Sequence, residues 1–154
     1  MDKIYYIYEW YDQCYYGFAD YKGNLVHFAY KNFIAPSTYL FEIIPSTKEF
    51  LDKELLGEKY FRAWCEQRLP PILDYAEYCI EREKKELADI KLEHPDITNE
   101  QWVTAEMQFS SHLFRTEYLA KNRDKIECKK AICHFTHEST SNLPYDNAYM
   151  EWLD

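Results

Sequence analysis

A chain of 154 residues carrying 27 acidic and 18 basic side chains, net charge −9, is long enough to bury a core as one domain without disulfides or metal. Its acidity repels phosphate backbones and so excludes direct DNA or RNA binding from the leading functions, while suiting solubility or a basic partner. Five cysteines (Cys14, Cys65, Cys79, Cys128 and Cys133), scattered, odd in number and free of any C-x-x-C pair, argue against a disulfide framework or a zinc ribbon and point to a reducing, cytoplasmic compartment.

The chain opens on an aromatic tract from Ile4 to Phe33 whose alternation, punctuated by Gly17 and Gly23, predicts an antiparallel β-meander with aromatics on both faces. The first strand, Lys3 to Tyr11, sets Ile4, Tyr6, Tyr8 and Trp10 against Tyr5, Ile7 and Tyr11. Asp12 and Gln13 make a turn, and a second strand runs from Tyr15 to about Asp20. The link Tyr21-Lys22-Gly23-Asn24 offers a glycine for the positive φ of a short hairpin. A third strand covers Leu25 to Tyr30. Lys31 to Pro36 reads as a loop from its proline and polar content, and Thr38 to Ile44 as a fourth strand. Such a sheet needs a cover on each face: the chain's own helices on one, a partner or ligand on the other.

Pro45 ends the sheet, and Ser46 with Glu49 predicts a capping box that starts a helix near Thr47. Its apolar positions Phe50, Leu51, Leu55, Phe61, Trp64 and Cys65 keep a helical period, with Gly57 in line as a close-packing point or a break, the resumption of the pattern in phase beyond it favouring packing. Pro70-Pro71 stops it. A second helix runs from Pro71 to about Leu92, and its charged stretch from Glu81 to Glu93 reads as a solvated face. Thr98 and Gln101 form a second capping box, stapled by Ile97 and Trp102, for a third helix ending near Asn122 to Asp124. Ile126 to Thr136 and Ala148 to Leu153 then predict a C-terminal hairpin rejoining the sheet. No short apolar block of a signal peptide precedes the first strand, and no segment approaches membrane-spanning length. The expected fold is thus α+β, one domain over 1–154: a β-meander in 1–44, three helices in 46–124 and a β-hairpin in 126–154.

Trp10-Tyr11-Asp12, Gly17-x-Ala19-x-Tyr21-x-Gly23 and His27-Phe28 resemble the opening of a family of small uncharacterised bacterial proteins. There an aromatic-Asp turn precedes G-x-A-x-Y-x-G and then H-x-F or a close variant. The resemblance covers about the first third of the chain. Ala29 stands where an acidic residue is expected, and Gln13-Cys14 where glycine and proline are common. The resemblance implies a fold and carries no activity.

Chemistry-bearing groups are few. Asp12 and His27 offer a carboxylate and an imidazole for acid-base work, against the blander reading of an Asx-turn and a half-exposed strand histidine. Cys128, Cys133, His134 and His137 are metal-ligand types, but alternation on a strand sends them to opposite faces, so no metal or other cofactor is expected. Ser110-Ser111-His112 diverge around a helix and have no nucleophile elbow. Three glycines are too few for phosphate-cradling loops. The leading reading is a cytoplasmic, acidic, tyrosine-rich protein that binds another protein, a basic one by charge, as an inhibitor or immunity-type protein. It reads as a binder more readily than as an enzyme. Its candidate contacts are Tyr5, Tyr11, Asp12, Tyr16, Asp20 and Tyr21. The alternatives are a small enzyme or ligand-binding protein using Asp12 and His27 in a pocket between sheet and helices, and an acidic nucleic-acid mimic.

Overall fold

Period-two alternation with aromatics on both faces builds six antiparallel strands here. A computed structural model describes residues 1–10, 14–68, 88–89, 91–136, 138–140 and 142–153. Tyr11, Asp12, Gln13, Pro70, Pro71, most of the expected second helix and His137 lie outside the described residues. The strands are β1 (Asp2–Trp10), β2 (Cys14–Tyr21), β3 (Asn24–Ala35), β4 (Thr38–Pro45), β5 (Glu127–His134) and β6 (Tyr149–Trp152), with helices α1 (Lys48–Glu66) and α2 (Asn99–Lys121) between β4 and β5. Residues 88–89 and 91–93, at the end of the expected second helix, are helical. The α+β class holds, and the C-terminal hairpin does rejoin the sheet. The open meander is corrected, because β6 pairs with both β5 and β1 and closes a barrel in the order β1 to β6.

Register explains the two aromatic faces. Gly17, Phe28 and Ile43 are paired across β2, β3 and β4, and Ala131 faces Trp152 across β5 and β6. These positions share the inner wall with Phe41 and Met150, both fully buried. Gly17 is required there: a Cβ would fall 2.3 Å from the Tyr6 carbonyl oxygen and 2.7 Å from the Phe28 ring. The opposite face of β1 to β3 carries Tyr6, Tyr8, Phe18 and His27 and is covered by Phe50, whose ring meets Phe18 edge-on at 4.8 Å and is backed by Tyr118 at 4.5 Å. The chain's own elements therefore cover both aromatic faces on this side.

Local turn chemistry follows the residues. Lys22 (φ 50) and Gly23 (φ 81) form the two-residue link between β2 and β3. The expected loop 31–36 is mostly strand, since β3 continues to Ala35 through irregularities between Tyr30 and Asn32 and between Phe33 and Ala35. The reversal is confined to Pro36 and Ser37, with Ser37 at φ 61, as a proline-led tight turn requires. Bulges absorb the polar residues that made this segment look like a loop. At α1 the cap is Thr47 and not Ser46: Thr47 Oγ1 accepts from the Phe50 amide at 3.1 Å. Both bonds of the expected capping box at Thr98 and Gln101 are present, at 2.9 and 3.2 Å.

The chain divides into two compact units, 1–55 with 117–154, and 56–116. The first is the barrel with Phe50 and Tyr118. The second has its own core of Trp64, Ile97, Trp102 and Ala105, with Phe109 against it and the two indoles 5.4 Å apart. Gly57 is a close-packing point, as its spacing predicts: a Cβ there would lie 2.6 Å from Ser111 Cβ.

Gly57→Ala is expected to lower stability by about 1–3 kcal/mol through overpacking, despite the roughly 1 kcal/mol by which alanine favours a helix. Combining it with Ser111→Gly should reveal a coupling of about 1 kcal/mol or more in a denaturant double-mutant cycle.

Candidate functional site

The expected contact residues divide among three places. Tyr5 and Asp20 lie together, the phenol donating to Asp20 Oδ2 at 2.8 Å. Lys3 sits over the Tyr5 ring at 5.3 Å. Trp152 Nε1 donates to the Asp20 carbonyl at 2.8 Å and so ties β6 to β2 across the end of β1. Tyr16 stacks on Tyr8, centroids 5.7 Å apart and planes 18° from parallel. Tyr21 belongs to neither group. It meets Trp152 edge-on at 5.1 Å, with the Lys22 and Lys129 ammoniums 5.2 and 5.6 Å from its centroid. Tyr11 and Asp12 are outside the described residues, so the Asp12–His27 pocket has one described member.

His27 is not half-exposed, as its place on a strand suggested. It is 2% exposed, parallel to Phe50 at 5.6 Å and 8°, stacked on Tyr8 at 5.7 Å and edge-on to Phe18 at 5.3 Å. Its Nε2 and the Tyr8 hydroxyl are 2.8 Å apart. The register accounts for this: Phe18 lies directly between Tyr6 and His27 across β1, β2 and β3. Aromatic neighbours at those paired positions were the available signal that this face is covered. A phenol hydrogen-bonded to an imidazole can relay a proton, but enclosure by three rings makes this first a satisfied core histidine. Ser46 Oγ is also buried, without a hydrogen-bond partner among the described residues.

Cys133 is joined to Cys14 in a disulfide, although the cysteine pattern argued against a disulfide framework. The positions are 119 residues apart and meet only because the barrel closes. Cys65 and Cys128 are free and exposed. Lys31 Nζ lies 3.6 Å from Cys128 Sγ and 3.5 Å from Glu42, and electrostatic interaction with Cys128 first, then the hydrogen bond to Glu42, raise the lysine pKa. His134 meets Glu151 at 3.1 Å across β5 and β6. Arg115 Nη2 donates to His112 Nδ1 at 2.6 Å, while Ser111 is buried against Gly57. Among the described residues no group of three or more His, Cys, Asp or Glu is placed to hold a metal ion.

An exposed apolar feature lies where a loop was expected. Phe33 and Ile34, at the far end of β3, are 59% and 42% exposed. Rings run from the barrel interior to this tip: Phe28 to Phe41 at 5.3 Å, Phe41 to Tyr39 at 6.1 Å and Tyr39 to Phe33 at 6.2 Å. Tyr30 meets Tyr39 at 6.0 Å and Tyr15 at 5.4 Å. The available signal was β-propensity, since Lys31-Asn32 is the only polar interruption between Phe28 and Ala35. From Lys31 to Phe41 there is no acidic residue. No helix among the described residues is long and apolar enough to cross a membrane.

No known protein family, curated protein or solved structure matches this chain. The N-terminal resemblance thus stands on its own residues.

Tyr8→Phe withdraws the hydroxyl from buried His27 and is expected to cost about 1–2 kcal/mol, read as a lower urea midpoint with an unchanged slope. Burial first, then the Asp20 hydrogen bond and charge, raises the Tyr5 phenol above its ordinary pKa of 10.0. Burial does the same to Tyr118, whose hydroxyl donates to the Pro45 carbonyl at 2.8 Å. Raised folded-state values mean that the stabilisation is complete below the unfolded phenol value and is lost as pH rises through the folded one. Urea midpoints measured upward from pH 9 should fall beyond pH 10, and less steeply in a Tyr5→Phe, Tyr118→Phe double variant.

Proposed function

We propose that this chain is a protein-binding module of the inhibitor or immunity type, acting in the cytoplasm on a partner of basic character. The observation that carries the reading is the exposed Phe33–Ile34 tip, held out on a hairpin and braced by rings that continue into the barrel. Exposed apolar groups on a rigid support are what a protein interface uses as anchors, since little side-chain order is lost on binding. The net charge of −9 adds long-range attraction for a basic partner. Tyr5, Asp20 and Tyr16 remain candidate contacts on the barrel wall. The ligand-binding or enzymatic alternative now rests on the Tyr8–His27 pair, whose enclosure between rings favours a structural role.

Passing the tagged full chain through lysate of its own host, at low and moderate salt, should retain one stoichiometric partner, more strongly at low salt. Phe33→Ala with Ile34→Ala should weaken capture by about 2–4 kcal/mol while the melting temperature stays within a few degrees. Undiminished capture by that folded variant removes the hairpin tip from the interface. The same assay on Tyr5→Ala and Asp20→Ala tests the barrel wall.

A further inference from the structure

We propose that the Cys14–Cys133 disulfide is a redox latch on the seam at which the barrel closes, a property independent of the binding reading above.

The seam is the junction of β1 with β6. Elsewhere the strands pair along most of their length: β3 with β4 from Val26↔Pro45 to Ala35↔Thr38, and β4 with β5 from Thr38↔Ile132 to Ile43↔Glu127. The register of β1 with β6 is Asp2↔Met150 and Lys3↔Tyr149 alone. A nine-residue strand faces a four-residue one. Beyond Lys3 the free edge of β1 is met by the segment before β6. The Ile4 amide donates to the Ala148 carbonyl at 2.9 Å, the Tyr145 amide to the Tyr5 carbonyl at 3.2 Å, and the Tyr145 hydroxyl to the Ile7 carbonyl at 2.9 Å. Strand pairing is cooperative along a ladder, so a short ladder continued by single bonds from a loop is the part of a barrel that opens first.

The disulfide is placed against that opening. Cys14 begins β2 beside Trp10, at the far end of β1 from Lys3, and Cys133 lies on β5 beside Met150, so the bond ties together the two strands that flank β1 and β6. Cys133 is the strand partner of Met150, whose sulfur lies 3.5 Å from its own. Breaking the bond releases both sides of the seam at once and leaves the ladders of β2 to β5 in place.

The chemistry needs a dithiol reductant. One of its thiolates attacks Cys133 Sγ, the more accessible sulfur because Cys14 is fully buried. The Cys14–Cys133 bond breaks as the mixed disulfide forms, and Cys14 leaves as a thiolate and takes up a proton. The second thiol of the reductant then attacks the mixed disulfide, releasing Cys133 as a thiol and the reductant as its own disulfide. Two electrons and two protons pass to the protein. The reduced barrel presents the backbone edge of β1, the kind of edge to which another strand can add.

The test uses the full chain with Cys65→Ser and Cys128→Ser, which removes the exposed free thiols, and reads amide hydrogen exchange before and after treatment with dithiothreitol. Alkylation followed by mass measurement of the cysteine-bearing peptides compares the number of reactive thiols before and after reduction. Two more thiols should be modified after reduction. Exchange at the Ile4 and Tyr145 amides should accelerate at least tenfold, amides paired between β3 and β4 should change less than twofold, and re-oxidation should restore the original rates. A Cys14→Ser, Cys133→Ser variant should match the reduced pattern, and if it does not fold the reduced chain carries the test alone. Equal acceleration in all six strands would overturn the proposal, because the bond would then stabilise the whole barrel and not its seam. So would unchanged exchange at Ile4 and Tyr145, or full alkylation of Cys14 and Cys133 after exposure to oxidised glutathione.

Discussion

The rest of the barrel depends on one short strand satisfying two neighbours. β6 has four residues and pairs with β5 on one side and β1 on the other. Without it, β1 and β5 would both be open edges, and the inner faces of Phe28, Phe41 and Ala131 would need an external cover. With it, the sheet covers one of its own faces, and the remaining demand falls on the helices. Phe50 meets most of that demand by lying over Phe18 and His27, with Tyr118 behind it. A chain that is 18% aromatic thereby places large rings on both faces of the same strands while exposing few of those among the described residues.

Closure also assigns the polar groups. Trp152 reaches across the end of β1 to the Asp20 carbonyl, a bond available only when β6 and β2 flank the same strand. The Cys14–Cys133 pairing depends on the same circularity. Burial of His27 follows from its strand partners, and the hydrogen bond to Tyr8 offsets part of the cost of burying an imidazole. The second unit shows a separate solution. There a capping box starts α2, its staple residues Ile97 and Trp102 enter the core, and Lys91 lies over the Trp102 ring while pairing with Glu106.

What was legible in the sequence was local. Alternation located all six strands, Gly23 located a turn needing positive φ, Thr98-x-x-Gln101 located a helix start, and the spacing of Gly57 between Phe50 and Trp64 located a close contact. What was not legible depends on partners far away in the chain. Nothing near Cys14 or Cys133 announces the other, and nothing within Thr38 to Ile44 says that β5 will lie beside it. Lys31 to Pro36 was misread for a different reason. Bulges let polar and apolar residues share a strand without keeping strict alternation, so the period that identifies a strand is lost where the rim of the barrel bends. Of the candidate contacts, Tyr5 and Asp20 do meet, whereas Tyr21 lies with Trp152 and two lysines because it sits on the opposite face of β2 from Asp20.

The same bulged segment bears on the proposed function through the rings beneath it. An exposed phenylalanine and isoleucine add nothing to a core, and threonine or lysine at either position would suit an exposed strand end without an apolar surface. A mobile apolar tip would also bind weakly, because ordering it would consume part of the contact energy. Here the ring series from Phe28 through Phe41 and Tyr39 reaches Phe33. The absence of acidic side chains from Lys31 to Phe41 leaves the tip uncharged apart from Lys31, which is paired with Glu42. On the proposed binding reading, a nearly neutral, apolar projection on an otherwise acidic chain would separate two tasks: the charge would keep copies of the chain apart and draw in an oppositely charged partner, and the tip would supply contact area at short range.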